Sequence, residues 1–341
     1  MNKPGHYPAR YWHKIDDNHI QCNLCPRKCI LKNEQRGFCY VRQNLNGQLI
    51  LTTYGYSSGF CIDPVEKKPL NQFYPGSSVL SFGTVGCNLA CPFCQNWDLS
   101  KSRNDARARE IAYPATIAKA AQQSQCKSVA FTYNEPIIFA EYAIDTAKVC
   151  HELGIKTIAV TAGYIEEGAR EDFFACMDAA NVDLKAFNDA FYKELVSASL
   201  PPVLDTLLYL KKETNVWLEI TNLIIPHKND SEEEISAMTQ WIAKNLGPDV
   251  PLHFSAFHPA YKMQNIERTP PETLFKARKI ALKNGMHYVY TGNIYDKEGS
   301  STYCHVCKNL LIERDGYRLG EYHLVEKNKC EYCGTICAGC F

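Results

Sequence analysis

Cys87, Cys91 and Cys94 stand in GTVGCNLACPFCQNW as C-x3-C-x2-C, three soft thiolate donors in one loop. A [4Fe–4S] cube normally takes four cysteines, so three close ligands bind three irons and leave the fourth open to a small molecule. An open iron suits chemistry better than electron storage. The competing reading is zinc held by three sulfurs and a distant His. The loop follows an apolar strand directly and carries Phe93 just before Cys94, which favours iron.

Two further groups flank this loop. At the end of the chain Cys304 and Cys307, then Cys330 and Cys333, form paired C-x2-C knuckles. This is the spacing of a zinc ribbon, in which four thiolates close a tetrahedral site and stabilise a segment too short for a core of its own. Iron would use the same ligands, so the predicted metal there is zinc or iron. Cys337 and Cys340 add a last C-x2-C with no assigned role. At the front Cys22, Cys25, Cys29 and Cys39 read C-x2-C-x3-C-x9-C, one site for zinc or an iron–sulfur cluster. Cys61, Cys126, Cys150 and Cys176 are isolated and expected to be small packed apolar residues.

The elements that must position these groups can be read from the hydrophobic pattern. Residues 1–75 mix the first cysteines with hairpin-like text (LILTTYGYSSGFCI) and suggest a small β-rich module. From Val79 short apolar runs alternate with helical stretches. Predicted strands are VLSFGTV, Ser128–Thr132, Lys156–Val160, Val182–Lys185, Val216–Ile220, Leu252–Ala256 and Tyr288–Tyr290. Predicted helices begin near Ala115 and cover Pro136–Leu153, Ser231–Leu246 and Pro271–Asn284. Such alternation predicts a parallel α/β fold, an open or complete barrel over residues 76–300, with residues 301–341 as a separate cysteine-rich tail. Chemistry in such barrels sits at the strand C-termini.

The chain has 341 residues, 45% of them hydrophobic, a net charge of zero and 17 cysteines. Balanced charge removes the broad basic field of generic nucleic-acid or anionic-membrane binding. No window approaches eighteen uncharged apolar residues and the polar start lacks a signal-peptide layout, so a cytoplasmic protein is expected. In that reducing setting the grouped cysteines are expected to be metal ligands rather than disulfides.

On the C-x3-C-x-aromatic-C loop the chain resembles the radical S-adenosylmethionine superfamily. CNLCPRKC, IDPVEKKPLNQFYPGSSVLSFGTVGCNLACPFCQNW, FTYNEPIIF, VDLKAF, FHPAYKM and YVYTGN look like the radical SAM enzymes of the AmmeMemoRadiSam system. These in turn are similar to pyruvate formate-lyase activating enzymes. The resemblance implies a partial (β/α) TIM-like barrel and an oxygen-sensitive enzyme. It also implies a reduced cluster that chelates S-adenosylmethionine and cleaves it to methionine and a 5′-deoxyadenosyl radical. An electron donor such as flavodoxin or ferredoxin is implied as partner, with a protein or small molecule as substrate.

By the same resemblance Phe93 packs near adenine. Glu135 stands where a Gly-Gly-Glu-Pro motif holds the methionine amino group, with Tyr133 and Asn134 replacing the glycines. Asp183 and Lys185 match an Asp-x-Lys strand that reaches the methionyl carboxylate or ribose. Glu135 could equally serve as a helix N-terminal carboxylate, and Lys185 as a partner of Asp183 or Glu219. HFSAFHPAYKM, with His253, His258, Tyr261 and Lys262, is a candidate lining of the substrate end. The leading expectation is therefore a radical SAM enzyme of unknown substrate. The alternatives are an activase of glycyl-radical enzymes and a non-catalytic zinc-binding scaffold.

Overall fold

Short, apolar, β-branched runs joined by capped helices build the centre of the chain. The computed structural model describes residues 4–103 and 110–341. Its main sheet has eight strands: β1 (Phe60–Pro64), β2 (Ser78–Phe82), β3 (Ser128–Phe131), β4 (Lys156–Thr161), β5 (Ala179–Asp183), β6 (Trp217–Ile224), β7 (Leu252–Ala256) and β8 (Val289–Gly292). The strands lie in sequence order. β2 to β8 are parallel, and β1 runs antiparallel along β2 as one edge. Each parallel crossover carries a helix: α1 (Pro114–Gln123), α2 (Ala140–Glu152), α3 (Glu167–Phe174), α4 (Pro201–Glu213), α5 (Glu232–Asn245) and α6 (Pro271–Lys283). Sequential order with right-handed crossovers puts all helices on one face and curls the other inward, an open (β/α) barrel.

The two faces differ in what they bury. Towards the helices, Phe82 packs against Phe131 and against Tyr142 of α2, ring centroids 5.6 Å apart in each pair. On the inner face of the sheet, Val79, Ala130, Ile158 and Ala179 close over Leu70 and Phe73. The segment following β1 thus plugs the barrel base. Its Asn71 and Gln72 amides donate to the Glu219 carboxylate at 3.0 and 2.8 Å, and Glu219 also takes His253 Nε2 at 2.6 Å.

Several boundaries moved from their sequence expectations for local reasons. The run expected at Val182–Lys185 ends at Asp183, because side chains take over the backbone groups that follow. Asn222 and Asn229 donate to the Leu184 and Lys185 carbonyls, and the Lys185 amide donates to the Tyr192 hydroxyl. The helix expected over Pro136–Leu153 is a 3-10 turn, Pro136–Phe139, followed by α2. Phe139 leaves helical dihedrals while the Ile138 carbonyl accepts from Arg42 Nε at 3.1 Å. The expected Ser231 start is a capping serine, accepting from the Glu234 amide at 3.2 Å.

The cysteine-bearing ends pack on this barrel. Strands Arg42–Leu45 and Gln48–Leu51 form a hairpin across Asn46 and Gly47, both at positive φ as a two-residue turn requires. A second small sheet, Trp12–Lys14, His19–Cys22 and Ile30–Lys32, carries the first cysteine group. The last forty residues are not a detached appendage. Tyr288 and Tyr290 share an apolar cluster with Cys304, Leu311, Ile312, Cys330 and Cys337. The Tyr74 amide also bonds the Cys340 carbonyl, at 2.6 Å. Among the described residues, no helix is long and apolar enough to cross a membrane.

Candidate functional site

Where β2 ends, the backbone must turn sharply into the cysteine loop. Gly83 makes this possible, since a Cβ there would collide with the Thr132 carbonyl oxygen and sit 2.7 Å from Asn134 Oδ1. Across from it Tyr133 adopts φ +69°, a conformation that glycine would take without cost. The tyrosine that stands at a motif glycine's position thus adopts the positive φ that favours glycine. Asn134 was read only as a departure from the motif, yet it braces the loop. Its Oδ1 accepts from the Thr84 amide at 3.0 Å, and its Nδ2 donates to Thr84 Oγ1, Val85 O and Gly86 O. A residue fifty positions distant in sequence carries no local signal of that role.

Downstream the loop is held by bonds that do not involve sulfur. The Gly86 amide donates to Leu99 O at 3.1 Å, the Ala90 amide to Val196 O at 3.0 Å, and the Lys262 amide to Pro92 O at 2.9 Å. Lys101 Nζ donates to Leu89 O at 2.7 Å. Tyr261 stacks on Trp97, 5.5 Å between centroids. Tyr261 and Lys262 thus support the loop from outside, and His258 is near the surface against the Asn293 carbonyl. Of the four side chains expected at the substrate end, only His253 faces an inner cavity, one of about 320 Å³ that adjoins the main site at Pro69, Ser255 and Asn293.

The main cavity, about 280 Å³, opens at the C-terminal ends of β2 to β7. Cys87, Cys91, Cys94, Phe93, Glu135, Asp183 and Lys185 all line it. Spacing singles out the three cysteines and the resemblance implies the other four, and the fold brings all seven to one cavity. Burial pushes the Cys87 thiol up to about 12 and raises Cys91 as well. Such thiols become thiolates only with a cation beside them, which is what a metal cluster supplies. The donor set fits a cluster better than a single ion. Among the described residues, the groups of three or more ligand atoms lying mutually within 4.8 Å are Cys304–Cys307–Cys330–Cys333 and Asp249–His287–His305, and the central three sulfurs form no such group.

Glu135 is buried, and its carboxylate caps the turn behind it. It accepts from the Ile137 amide at 3.3 Å, the Ala162 amide at 2.7 Å and the Thr161 hydroxyl. The helix-terminal role is therefore real, and of roughly four lone-pair positions about one remains for a ligand. Burial raises its carboxyl to about 7 against the opposing pull of those donors and of Lys185. The sign of the consequence follows. Folding favours the protonated form, so this group's contribution is fully present below the ordinary glutamate value of 4.5 and is lost as pH rises through about 7. Urea unfolding of the metal-free protein should show Glu135→Gln gaining stability relative to wild type between about pH 5 and pH 8. A pH-independent difference would contradict the shift.

Lys185 Nζ pairs with Asp183 Oδ2 at 2.9 Å, the partner named for it in the sequence. Burial works against its charge, but Asp183 and the Cys91 sulfur outweigh it and hold the ammonium above its usual range. Phe93 is buried with its ring 5.9 Å from Phe191. Cys61 departs from expectation, standing exposed on edge strand β1, whereas Cys126 and Cys150 are buried as packed residues. In the tail, Cys304–Cys333 and Cys307–Cys330 are each 3.6 Å apart, a sulfur spacing suited to one tetrahedral ion. Cys337 lies outside this quartet beside Gln72 Nε2, and Cys340 packs at the barrel base.

Known proteins resemble this chain in sequence and in fold. Residues 82–242, from the end of β2 into α5, match the Radical SAM superfamily. An uncharacterised protein of Methanocaldococcus jannaschii is 41% identical over 328 residues, covering 96% of this chain and 97% of that protein. The pyruvate formate-lyase-activating enzyme of Clostridium pasteurianum is 26% identical over 57% of this chain and 86% of its own length. A radical SAM methyltransferase from Sphaerobacter thermophilus shares the fold, with TM-score 0.51 and 14% identity over 84% of this chain and 77% of that one. A three-cysteine loop at the C-terminal edge of an open parallel barrel, with these matches in sequence and fold, makes the chain a member of the radical SAM superfamily.

Proposed function

We propose that this chain is a radical enzyme that holds a [4Fe–4S] cluster through Cys87, Cys91 and Cys94 and binds S-adenosylmethionine in the adjoining cavity. The observation that carries this reading is the convergence of the three thiols with Glu135, Asp183 and Lys185 on one cavity at the strand C-termini. With the cluster reduced, the pair supplies a 5′-deoxyadenosyl radical that takes a hydrogen atom from a substrate. The chain's own residues bind and orient. Glu135, once ionised, offers its free lone pair to the methionyl ammonium. Lys185, kept charged by Asp183, would hold the methionyl carboxylate or ribose, and Phe93 would supply an apolar wall for the adenine.

The test is anaerobic reconstitution with iron and sulfide, reduction, and incubation with S-adenosylmethionine. Appearance of 5′-deoxyadenosine supports the reading, and a reconstituted, reduced chain that forms none overturns it. Similarity to the Clostridium pasteurianum activating enzyme favours a second reading of the substrate, a glycine in a protein partner. A glycyl-radical spectrum on a co-encoded protein would support it.

The tail quartet is proposed as a zinc site that ties the last strands under the barrel. Replacing Cys307 with alanine should release one zinc per chain while leaving the iron of the central site in place. Metal analysis of the purified variant checks this, and unchanged zinc removes the ribbon.

A further inference from the structure

The first cysteine group differs from the tail quartet in how closely its sulfurs gather. Cys22, Cys25, Cys29 and Cys39 all line one small cavity, with Arg42, Asn88 and Ile138 around it. A single zinc ion draws its four sulfurs together, because each bond is only about 2.3 Å long. The tail quartet shows that contraction, its four sulfurs lying mutually within 4.8 Å. The front group forms no such set, and neither do Cys87, Cys91 and Cys94. Sulfurs bound to separate corner irons of a cube must stand apart around the space it fills. Front and central groups both lack the contraction that the tail shows.

The position of the front group gives the site a role. Asn88 lines the front cavity while its neighbours Cys87 and Leu89 line the central one, so a single stretch of loop divides them. The contact is close and built. A Cβ on Gly86, whose φ is +84°, would run into the Cys39 carbonyl oxygen. Arg27 Nε donates to the Asn88 carbonyl and Arg27 Nη2 to Ser197 O. Cys22, Cys25 and Cys39 are buried and Cys29 is partly exposed, leaving one side open to the surface.

We propose that Cys22, Cys25, Cys29 and Cys39 hold a second [4Fe–4S] cluster that receives electrons at the surface and passes them to the cluster of Cys87, Cys91 and Cys94. The electrons balance simply. A low-potential one-electron donor protein of the ferredoxin or flavodoxin class is oxidised, the front cluster is reduced and then reoxidised by the central one, and that electron ends in the broken sulfur–C5′ bond of S-adenosylmethionine. No proton moves. The relay rests on the proposed function; the identity of the front metal does not.

The test uses the full chain. In Cys87→Ala/Cys91→Ala/Cys94→Ala, reconstituted anaerobically, about four irons per chain should remain, with a reduced-cluster electron paramagnetic resonance signal that S-adenosylmethionine does not perturb. An iron-free triple variant, with or without a second zinc, overturns the front cluster. A wild-type chain that keeps the front iron but lacks any signal responsive to S-adenosylmethionine would instead sink the proposed function and leave the front cluster standing. For the relay, Cys39→Ala should lose 5′-deoxyadenosine formation driven by reduced ferredoxin while keeping that driven by dithionite, at equal central-cluster signal. Cys29→Ser, at the partly exposed position, serves where Cys39→Ala costs the central signal. Equal retention under both reductants overturns the relay.

Discussion

Replacing any one of Cys87, Cys91 or Cys94 with alanine is expected to abolish 5′-deoxyadenosine formation while leaving the fold intact. The loss should be complete rather than graded, because the cofactor carries the bond cleavage and no protein acid or base offers a slower route. The fold should survive because the loop is anchored without its sulfurs. Asn134 holds Thr84 to Gly86, and the Gly86, Ala90 and Lys262 amides bond to Leu99, Val196 and Pro92. Each variant would be assayed for product by chromatography, for iron, and for melting temperature. Product formation at the wild-type rate in any of the three contradicts the assignment. Alanine at Cys126, buried and remote from the cavity, is the matched control and should leave product formation unchanged.

Arg42→Met is expected to be the most damaging single substitution outside the metal sites. Arg42 and Glu141 form a bidentate pair whose side chains are each 1% exposed. The guanidinium also donates to Ile138 O and Arg10 O, and Glu141 accepts from the Arg10 amide at 2.7 Å. The pair joins the front module to the barrel at α2. Removing one member strands a buried charge, at a cost of about 3–5 kcal/mol. Arg42→Met combined with Glu141→Leu removes both charges and should recover much of that loss, giving a large coupling in a double-mutant cycle. Urea unfolding midpoints measure it, and additive single effects would show that the pair does not act as a unit. Arg42 also lies beside Cys22 and Cys39 and lowers their thiol values against the upward push of burial. Arg42→Met should therefore reduce metal content at the front site as well as stability.

Legibility differed with the range of each interaction. The barrel could be read because a buried parallel strand is a local apolar run and a helix announces its ends. Ser231, the proline at Pro271 and the stop before Gly285 were visible where the structure has them. Lys185 and its Asp183 partner sit two residues apart, so their pairing was also within reach. The tail's closeness to the barrel was not, since Arg314 reaches Asn71 O through a contact spanning 243 residues that no window of sequence contains. Nor was the bracing by Tyr261 and Lys262, whose ring stacks on Trp97 and whose amide donates to Pro92 O across more than 160 residues.

The residues by themselves determined that this chain has three cysteine groups, a parallel α/β core and a three-thiol loop at a strand end. These are properties of spacing and periodicity, which are short-ranged. Only the tertiary structure decided that the four tail sulfurs lie within 4.8 Å of one another while the front and central groups form no such set. It likewise decided that Tyr133 would take a glycine's backbone and that Asn134 would lock the loop from another strand. Sulfur separation depends on where separate segments come to rest, and that is set by packing across the whole chain.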